Sequence, residues 1–450
     1  MSAFDFYTYS ILTIALVSCW WALFKLRDVF HPFAYLMPMV AFLYVYLPYE
    51  LIHEKILRAE VFDSAAHVQF INACCVAALA FGVYLGSRRR KVSAKIAAQF
   101  SADRLYIAAI VLGGIALASF AFTLNNVGGL YEAYSQEKGG GAAESGYVRD
   151  AIFLSLPAIA AVGLCIARDG LRLHYLLSGL LFGAPMLIHG LFGARRGPTF
   201  VAIVALTGAY YMGKRTRPSL PSFIGGGAAI GVLLLLIVTF REQFRIGSEL
   251  FTQPIITLQS MVDTLQETRD ETLERVIEGN EFVYGASVIS RFEYDRDFFW
   301  GKRLATIIFI RPIPKQWWPS KYEDVGMERY LINVGLGGVE EGATAAYGAA
   351  PGFAADLFAE FSWGAIVASM LIGFGYARVW RNSIERNGLW FIIYILLMAF
   401  SIFFVLQTLE AVVYRFLLTA IPTSAIWWIW VRSKQARTAI SAPAPAELHA

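Results

Sequence analysis

The sequence predicts an all-α polytopic membrane protein with about eleven transmembrane helices. Of its 450 residues, 57% are hydrophobic and only 16% are charged, whereas a soluble domain carries roughly a quarter charged residues. Apolar runs of about 20 residues, long enough to cross a hydrocarbon core of ~30 Å, recur along the chain. The longest polar interval, residues 241–351, separates the eighth run from the ninth.

The predicted transmembrane helices follow these apolar runs in chain order. They cover residues 6–24, 32–52, 68–87, 105–124, 151–167, 173–192, 198–212, 223–240, 352–377, 389–407 and 409–431. The seventh is short, which places its start inside the membrane interface. The predicted organisation is helices one to eight (1–240), a partly helical loop (241–351), helices nine to eleven (352–431) and a disordered tail (432–450).

Lysine and arginine are divided unevenly between the two sets of connections. They concentrate at residues 25–27, 88–104, 168–172, 214–217, 378–386 and 432–437. Because short cytoplasmic connections carry an excess of basic residues, these segments are predicted to be cytoplasmic. The N-terminus and the loop 241–351 are then predicted to face the opposite side, with the C-terminus in the cytoplasm.

The composition also argues against a nucleic-acid partner, disulfide bonds and a zinc site. The formal net charge of +4 is small and no basic run is long, so the sequence does not indicate a nucleic-acid partner. The four cysteines (Cys19, Cys74, Cys75 and Cys165) lie within apolar runs without CxxC spacing. They are predicted to be small buried hydrophobic residues rather than disulfides or a zinc site. The first residues lack the basic segment and cleavage site of a signal peptide, and are predicted to begin the first helix.

One connection on the predicted outer side contains two arginines, although basic residues are more frequent in cytoplasmic connections. The segment HGLFGARRGPT, from His189 to Thr199, contains the adjacent residues Arg195 and Arg196. Pro198 suits the first turn of the next helix, whose free N–H groups and dipole favour an anion. The planar guanidinium group of arginine can donate two parallel hydrogen bonds to phosphate oxygens. A lipid diphosphate is the predicted ligand, with His189 as a base or a second donor. Arginines that reach lipid phosphates and a merely hydrogen-bonded histidine are the alternatives.

Charged residues near two other helix ends are further candidates. Arg415 lies about two turns inside the eleventh helix, where an arginine needs either a structural partner or a ligand. Asp356 and Glu360 are spaced i, i+4 in the first turns of the ninth helix, so they share one face. They suit a general base, a cation partner, or a structural role near a helix N-terminus. Glu341, in the glycine-rich stretch 335–342, is a more flexible candidate.

The long loop is predicted to be organised. Residues 250–277 have helical periodicity, and residues 291–300 (RFEYDRDFFW) mix aromatic rings with both charge signs, which suits binding to sugars. Residues 304–310 are too few to span and are predicted to lie in the membrane interface. In residues 311–319 (RPIPKQWWP) prolines stiffen the chain and tryptophans suit the membrane surface.

Four segments resemble the Wzy-type oligosaccharide repeat-unit polymerases: GARRGPTF, RPIPKQWWPSK, GFAADLFAEFSWGAI and TLEAVVYRF. Their order and spacing are also similar, and the resemblance covers most of the chain from Gly193 onward. It implies a bacterial inner-membrane glycosyltransferase of the GT-C type, active on the periplasmic side. Such an enzyme joins undecaprenyl-diphosphate-linked oligosaccharide units into O-antigen, capsule, exopolysaccharide or common antigen, with a polysaccharide chain-length regulator as an expected partner.

That chemistry needs cations for the diphosphate, a base, and a groove for sugars. The predicted diphosphate ligands are Arg195, Arg196, Arg291, Arg311 and Arg415. The competing candidates for the base are Asp356, Glu360, Glu341 and His189. Family members often carry one basic residue in the first turn and share no catalytic carboxylate motif, so the resemblance selects neither the arginine nor the base. No cofactor is expected, and the reaction is expected to need no metal. Asp295-Arg-Asp297 matches a DxD pair in letters but lies away from cytoplasmic nucleotide sugars.

Two rival functions stay open at this point. An O-antigen ligase shares the fold and the donor but uses lipid A-core as its acceptor. A lipid-linked oligosaccharide flippase, or another transporter, needs charged residues through the full depth of the bundle. Such a transporter gains little from a large loop on one face. The crowding of intramembrane charge in the predicted outer half favours an enzyme.

Overall fold

The helical fold class is confirmed. The computed structural model describes residues 2–53, 62–88, 100–135, 150–193, 196–214, 216–239, 281–314, 316–327 and 350–432. In these residues no strand occurs, and a single isolated bridge joins Phe100 to Arg432. Nine helices in this part of the chain are long and apolar enough to cross a membrane. The chain is therefore an all-α, multi-pass membrane protein.

Helices are numbered here in chain order. The first half contains α1 (Ala3–Trp20, with the π-helical turn Trp21–Lys25), α2 (Pro32–Ala41, with the π-helical turn Phe42–Tyr46), α3 (Leu47–His53), α4 (Phe62–Ser87), α5 (Ala102–Asn126), α6 (Leu130–Ser135), α7 (Ser155–Asp169, after the 3-10 turn Ala151–Leu154) and α8 (Leu173–Leu191). The second half contains α9 (Arg196–Gly213), α10 (Leu220–Thr239), α11 (Glu281–Asp295), α12 (Lys302–Ala305, with the π-helical turn Thr306–Ile310), α13 (Lys321–Asp324), α14 (Gly352–Phe361), α15 (Ala365–Glu385), α16 (Leu389–Leu406) and α17 (Leu409–Ile426, with the π-helical turn Trp427–Val431).

The number of spans differs from the predicted eleven. The nine candidate spans are Ala3–Lys25, Pro32–Tyr49, Ala65–Ser87, Ala102–Asn126, Ala151–Asp169, Leu173–Leu191, Gly352–Glu385, Leu389–Leu406 and Val412–Val431. The predicted seventh and eighth helices form as α9 and α10 but are not among these nine. The count of eleven therefore stays a prediction.

The predicted ninth helix, residues 352–377, is broken in the structure. α14 ends at Phe361, and the 3-10 turn Ser362–Gly364 leads into α15. Ser362 has φ of +53°, in the left-handed region, so the chain leaves its helical path there. Residues on both sides of the break are apolar, which is why hydropathy alone predicts one continuous helix. The break lets α14 serve as a separate, buried helix beneath the loop.

Close backbone contact fixes α15 against α4. A Cβ atom built on Gly373 would lie 2.2 Å from the carbonyl oxygen of Leu79, and one built on Gly82 would lie 2.0 Å from that of Met370. Only glycine fits at such distances, and small residues are the usual means by which membrane helices approach. This contact makes α15 a rigid support for α14.

The helix ends form two groups. At one end, Arg217 and Trp380 both donate to Oδ2 of Asp28, at 3.2 and 3.3 Å. At the other end lie residues 281–327, whose α11, α12 and α13 make the loop partly helical. We call these the basic end and the loop end. The predicted helix 250–277 and tail residues 433–450 lie outside the described residues. The grouping follows the predicted topology, and the side that faces the cytoplasm stays a prediction.

Cysteine labelling tests that orientation. In a variant without native cysteines, Ser135→Cys and Ser320→Cys are expected to react with an impermeant thiol reagent applied to spheroplasts. Ser93→Cys, which lies outside the described residues, is expected to stay unlabelled until the membrane is permeabilised, because its basic segment is predicted to be cytoplasmic. Labelling of Ser93→Cys in intact spheroplasts would overturn the orientation.

Candidate functional site

A buried ion-paired triad lies where α12 meets α14. The side chain of Arg303 is only 1% exposed, and those of Asp356 and Glu360 are fully buried. Nε of Arg303 donates to Oε1 of Glu360 and Nη2 donates to Oδ1 of Asp356, both at 2.6 Å. The two carboxylates thus share one face of α14, as their i, i+4 spacing predicts. The triad anchors the loop to the helix bundle.

The second oxygen of each carboxylate is also bonded. Oδ2 of Asp356 accepts from the backbone N–H of Leu409 at 2.6 Å, and Oε2 of Glu360 accepts from that of Gly301 at 3.1 Å. Asp356 therefore satisfies a free N–H at the start of α17. Burial opposes the charged form of Arg303, but the two carboxylates outweigh it and raise the pKa of this residue. The proposed base roles of Asp356 and Glu360 stay predictions, and their geometry is that of supports.

A second, more open ion pair joins the loop to α17. Nη1 of Arg311 lies 3.0 Å from Oε1 of Glu410, and the two side chains are 30% and 13% exposed. The guanidinium carbon of Arg311 also lies 3.9 Å from the centre of the Tyr414 ring, a cation–π contact. Lys321, which is buried, donates to the carbonyl oxygen of Arg311 at 3.0 Å. The backbone that carries Arg311 is thereby held in place.

Arg415 is seated on aromatic rings. Its guanidinium carbon lies 4.5 Å from the centre of the Phe403 ring and 5.2 Å from that of Phe153. Nη1 also donates to Oε1 of Gln407 at 3.4 Å. The side chain is half-buried. These contacts hold the guanidinium between aromatic rings and an amide, while Glu410 forms its ion pair with Arg311.

The arginine-bearing turn meets Arg415 through one of these rings. Gly197, the second residue of α9, packs so closely on Phe403 that a Cβ atom would lie 2.5 Å from the ring. Arg196 is the first residue of α9, and its side chain lies outside the described residues, as do Arg195 and Glu341. The start of α9 and Arg415 thus contact the same phenyl ring. Two motifs that lie far apart in the sequence converge here.

Two other predicted residues lie on neighbouring elements. Nδ1 of His189, near the end of α8, is 3.1 Å from the hydroxyl oxygen of Tyr134. Arg291 pairs with Asp295 on the same helix at 2.5 Å, and its side chain is 63% exposed. His189 is thus hydrogen-bonded, and Arg291 belongs to an exposed i, i+4 pair.

Three arginines and three carboxylates form what we call the charged cluster: Arg303, Arg311, Arg415, Asp356, Glu360 and Glu410. Burial raises the pKa of Glu410, and Arg311 is the strongest opposing influence, followed by Arg303. Arg303, Asp356 and Glu360 form the buried half of the cluster, whereas the side chains of Arg311, Glu410 and Arg415 are partly exposed. Half-buried guanidinium groups are suited to bind phosphate oxygens there.

Sequence reasoning missed Arg303 and the pairing of Arg311 with Glu410. The shared helix face of Asp356 and Glu360 predicted a cation partner as one alternative, but not which residue it is. The sequence offers many arginines for that role, and Arg303 lies 53 residues before Asp356. Among the described residues, no three His, Cys, Asp or Glu side chains converge as a metal site requires.

Comparison with protein-family models, with curated proteins and with solved structures gives no match for this chain. The class of this protein is consequently defined by its own fold and site. It is a multi-pass α-helical membrane protein with a charged cluster at its loop end.

Proposed function

We propose that this protein is a bacterial inner-membrane glycosyltransferase with a GT-C-like fold. It polymerises undecaprenyl-diphosphate-linked oligosaccharide units on the periplasmic face, with its N-terminus periplasmic and its C-terminus cytoplasmic. The observation that carries this proposal is the convergence at Phe403, where Arg415 and the start of α9 contact one ring. Diphosphate binding was predicted for arginines of both motifs, and their proximity supports one shared site.

The chemistry that this site offers supports the proposed reaction class. A lipid-linked donor presents a diphosphate at the membrane surface, and negative charge builds on it as the glycosidic bond breaks. Fixed guanidinium groups stabilise such charge most effectively where water is partly excluded. Arg415 is held by two rings, so its charge is positioned before substrate arrives.

The loop supplies surfaces for the sugars. Tyr294 and Trp300 are 87% and 68% exposed, and they lie on either side of the charged residues 296–297. Exposed rings beside charged groups suit stacking on sugar faces and bonding to hydroxyls. These residues are proposed to guide the oligosaccharide, and a chain-length regulator is a proposed partner for the same outer face.

Sizing the surface polysaccharide of a deletion strain tests this function. The mutant is expected to lose long polymer but to keep single repeat units on its surface carrier, because assembly, export and ligation of one unit do not need the polymerase. Plasmid-borne wild-type protein is expected to restore the ladder on a gel. Loss of every unit, including the single one, would contradict a polymerase and favour the flippase or the ligase.

A further inference from the structure

The three carboxylates of the charged cluster use their oxygens differently. Both oxygens of Asp356 and both oxygens of Glu360 accept hydrogen bonds, and neither side chain is exposed. Glu410 bonds through Oε1 alone, while its Oε2 accepts no hydrogen bond from the described residues. Its side chain is also partly exposed, at 13%. In this cluster, Glu410 has the carboxylate oxygen that is open to a substrate proton.

Glu410 is also held in a defined position. It is the second residue of α17, directly after Leu409, whose N–H is bonded to Asp356 at 2.6 Å. Arg311 fixes Oε1 from the loop side, and Tyr414 supports Arg311. The backbone and one oxygen of Glu410 are therefore fixed while the other oxygen stays accessible. A general base needs this combination of orientation and access.

Glu410 and Arg415 lie five residues apart on α17. Five residues of α-helix rise about 7.5 Å along the axis and turn by about 140° around it. The two side chains therefore leave the helix in different directions, so a hydroxyl near Glu410 and a diphosphate near Arg415 would occupy separate positions. On this arrangement Arg311 orients the base, whereas Arg415 and the start of α9 face the diphosphate.

We propose that Glu410 is the general base of the transfer reaction, an assignment that rests on the proposed glycosyltransferase function. The acceptor hydroxyl oxygen forms a bond to the anomeric carbon of the donor sugar as its proton passes to Oε2 of Glu410. The bond from that carbon to the diphosphate oxygen breaks, and its electron pair leaves with undecaprenyl diphosphate. Glu410 then returns its proton to water.

Separate measurements of rate and binding test this assignment in the purified full-length protein. Glu410→Gln keeps the shape and an acceptor for Arg311 but cannot take the proton. Its kcat for polymerisation of lipid-linked units is expected to fall about 10²–10⁴-fold, the usual contribution of a positioned base. Its affinity for undecaprenyl diphosphate is expected to match wild type. Glu385→Gln, which removes a partly buried carboxylate paired with Arg381 at the basic end, is the matched control and is expected to keep the wild-type kcat.

Chemical rescue covers the case in which Glu410→Gln folds poorly. Glu410→Ala leaves a void that formate can enter, and added formate is expected to restore part of the rate in the folded fraction. A purely structural residue gives no such rescue.

Three results count against the assignment in distinguishable ways. A near wild-type kcat in Glu410→Gln removes Glu410 as the base. Equal loss of rate and diphosphate affinity, without formate rescue, makes Glu410 only the residue that positions Arg311. Wild-type protein that neither polymerises units nor binds undecaprenyl diphosphate overturns the proposed function, and this assignment with it.

Discussion

Replacement of Arg303 with methionine is expected to destabilise the protein by about 3–5 kcal/mol, because it leaves Asp356 and Glu360 buried without their cation. These two carboxylates are fully buried, and Arg303 is bonded to each at 2.6 Å. The loss is measured as a lower melting temperature in detergent and a smaller monodisperse fraction after purification. Methionine fills much of the same volume, so the missing charge rather than a cavity dominates the effect.

Matched variants separate charge from packing. Arg291→Met removes an arginine from an exposed pair with Asp295, and its cost is expected to be below about 1 kcal/mol. Neutralising the carboxylates as well, in Arg303→Met/Asp356→Asn/Glu360→Gln, is expected to recover much of the lost stability, since no charge then stays buried and unpaired. A wild-type melting temperature in Arg303→Met alone would mean that the triad does not hold α12 and α14 together.

The sequence predicted where most helices lie, but it did not predict where one of them is broken. Long apolar runs report directly on membrane burial, so spans such as Leu389–Leu406 were predicted almost to the residue. The turn Ser362–Gly364 was missed because the residues around it are equally apolar. The left-handed backbone of Ser362 at the break leaves no mark in the hydropathy of the sequence.

The candidate site was predicted in part for a related reason. Basic residues on the predicted outer side and a charge inside a span both mark unusual positions, so the sequence singled out Arg196 and Arg415. The contacts of Gly197 and Arg415 with Phe403 depend on how α9, α16 and α17 pack, and no local pattern encodes them. The pairing of Arg311 with Glu410 spans 99 residues. The spacing of residues within one helix predicts which of them share a face. It does not predict which residue of another helix they contact.

Replacement of Arg415 with glutamine is expected to slow polymerisation by about 10²-fold or more while the protein folds normally. The proposed cause is the loss of a guanidinium that faces the diphosphate as its charge develops. Purified lipid-linked units serve as substrate, and rates are normalised to monodisperse protein. Arg381→Gln is the control, because Arg381 is a buried arginine at the basic end, far from the proposed site, and is paired with Glu385 at 2.9 Å. Its normalised rate is expected to equal wild type.

Abundance and rate distinguish the two roles open to Arg415. An arginine inside a span without compensation costs at least ~2–3 kcal/mol on insertion scales. Removing a charge that serves only structure should therefore change how much folded protein accumulates, with activity following that amount. Removing a charge that acts on the substrate leaves the amount intact and lowers the rate of each molecule. Phe403, Phe153 and Gln407 still fill the site in Arg415→Gln, so the second outcome is expected. A well-folded Arg415→Gln protein with a near-normal rate would exclude Arg415 from the reaction.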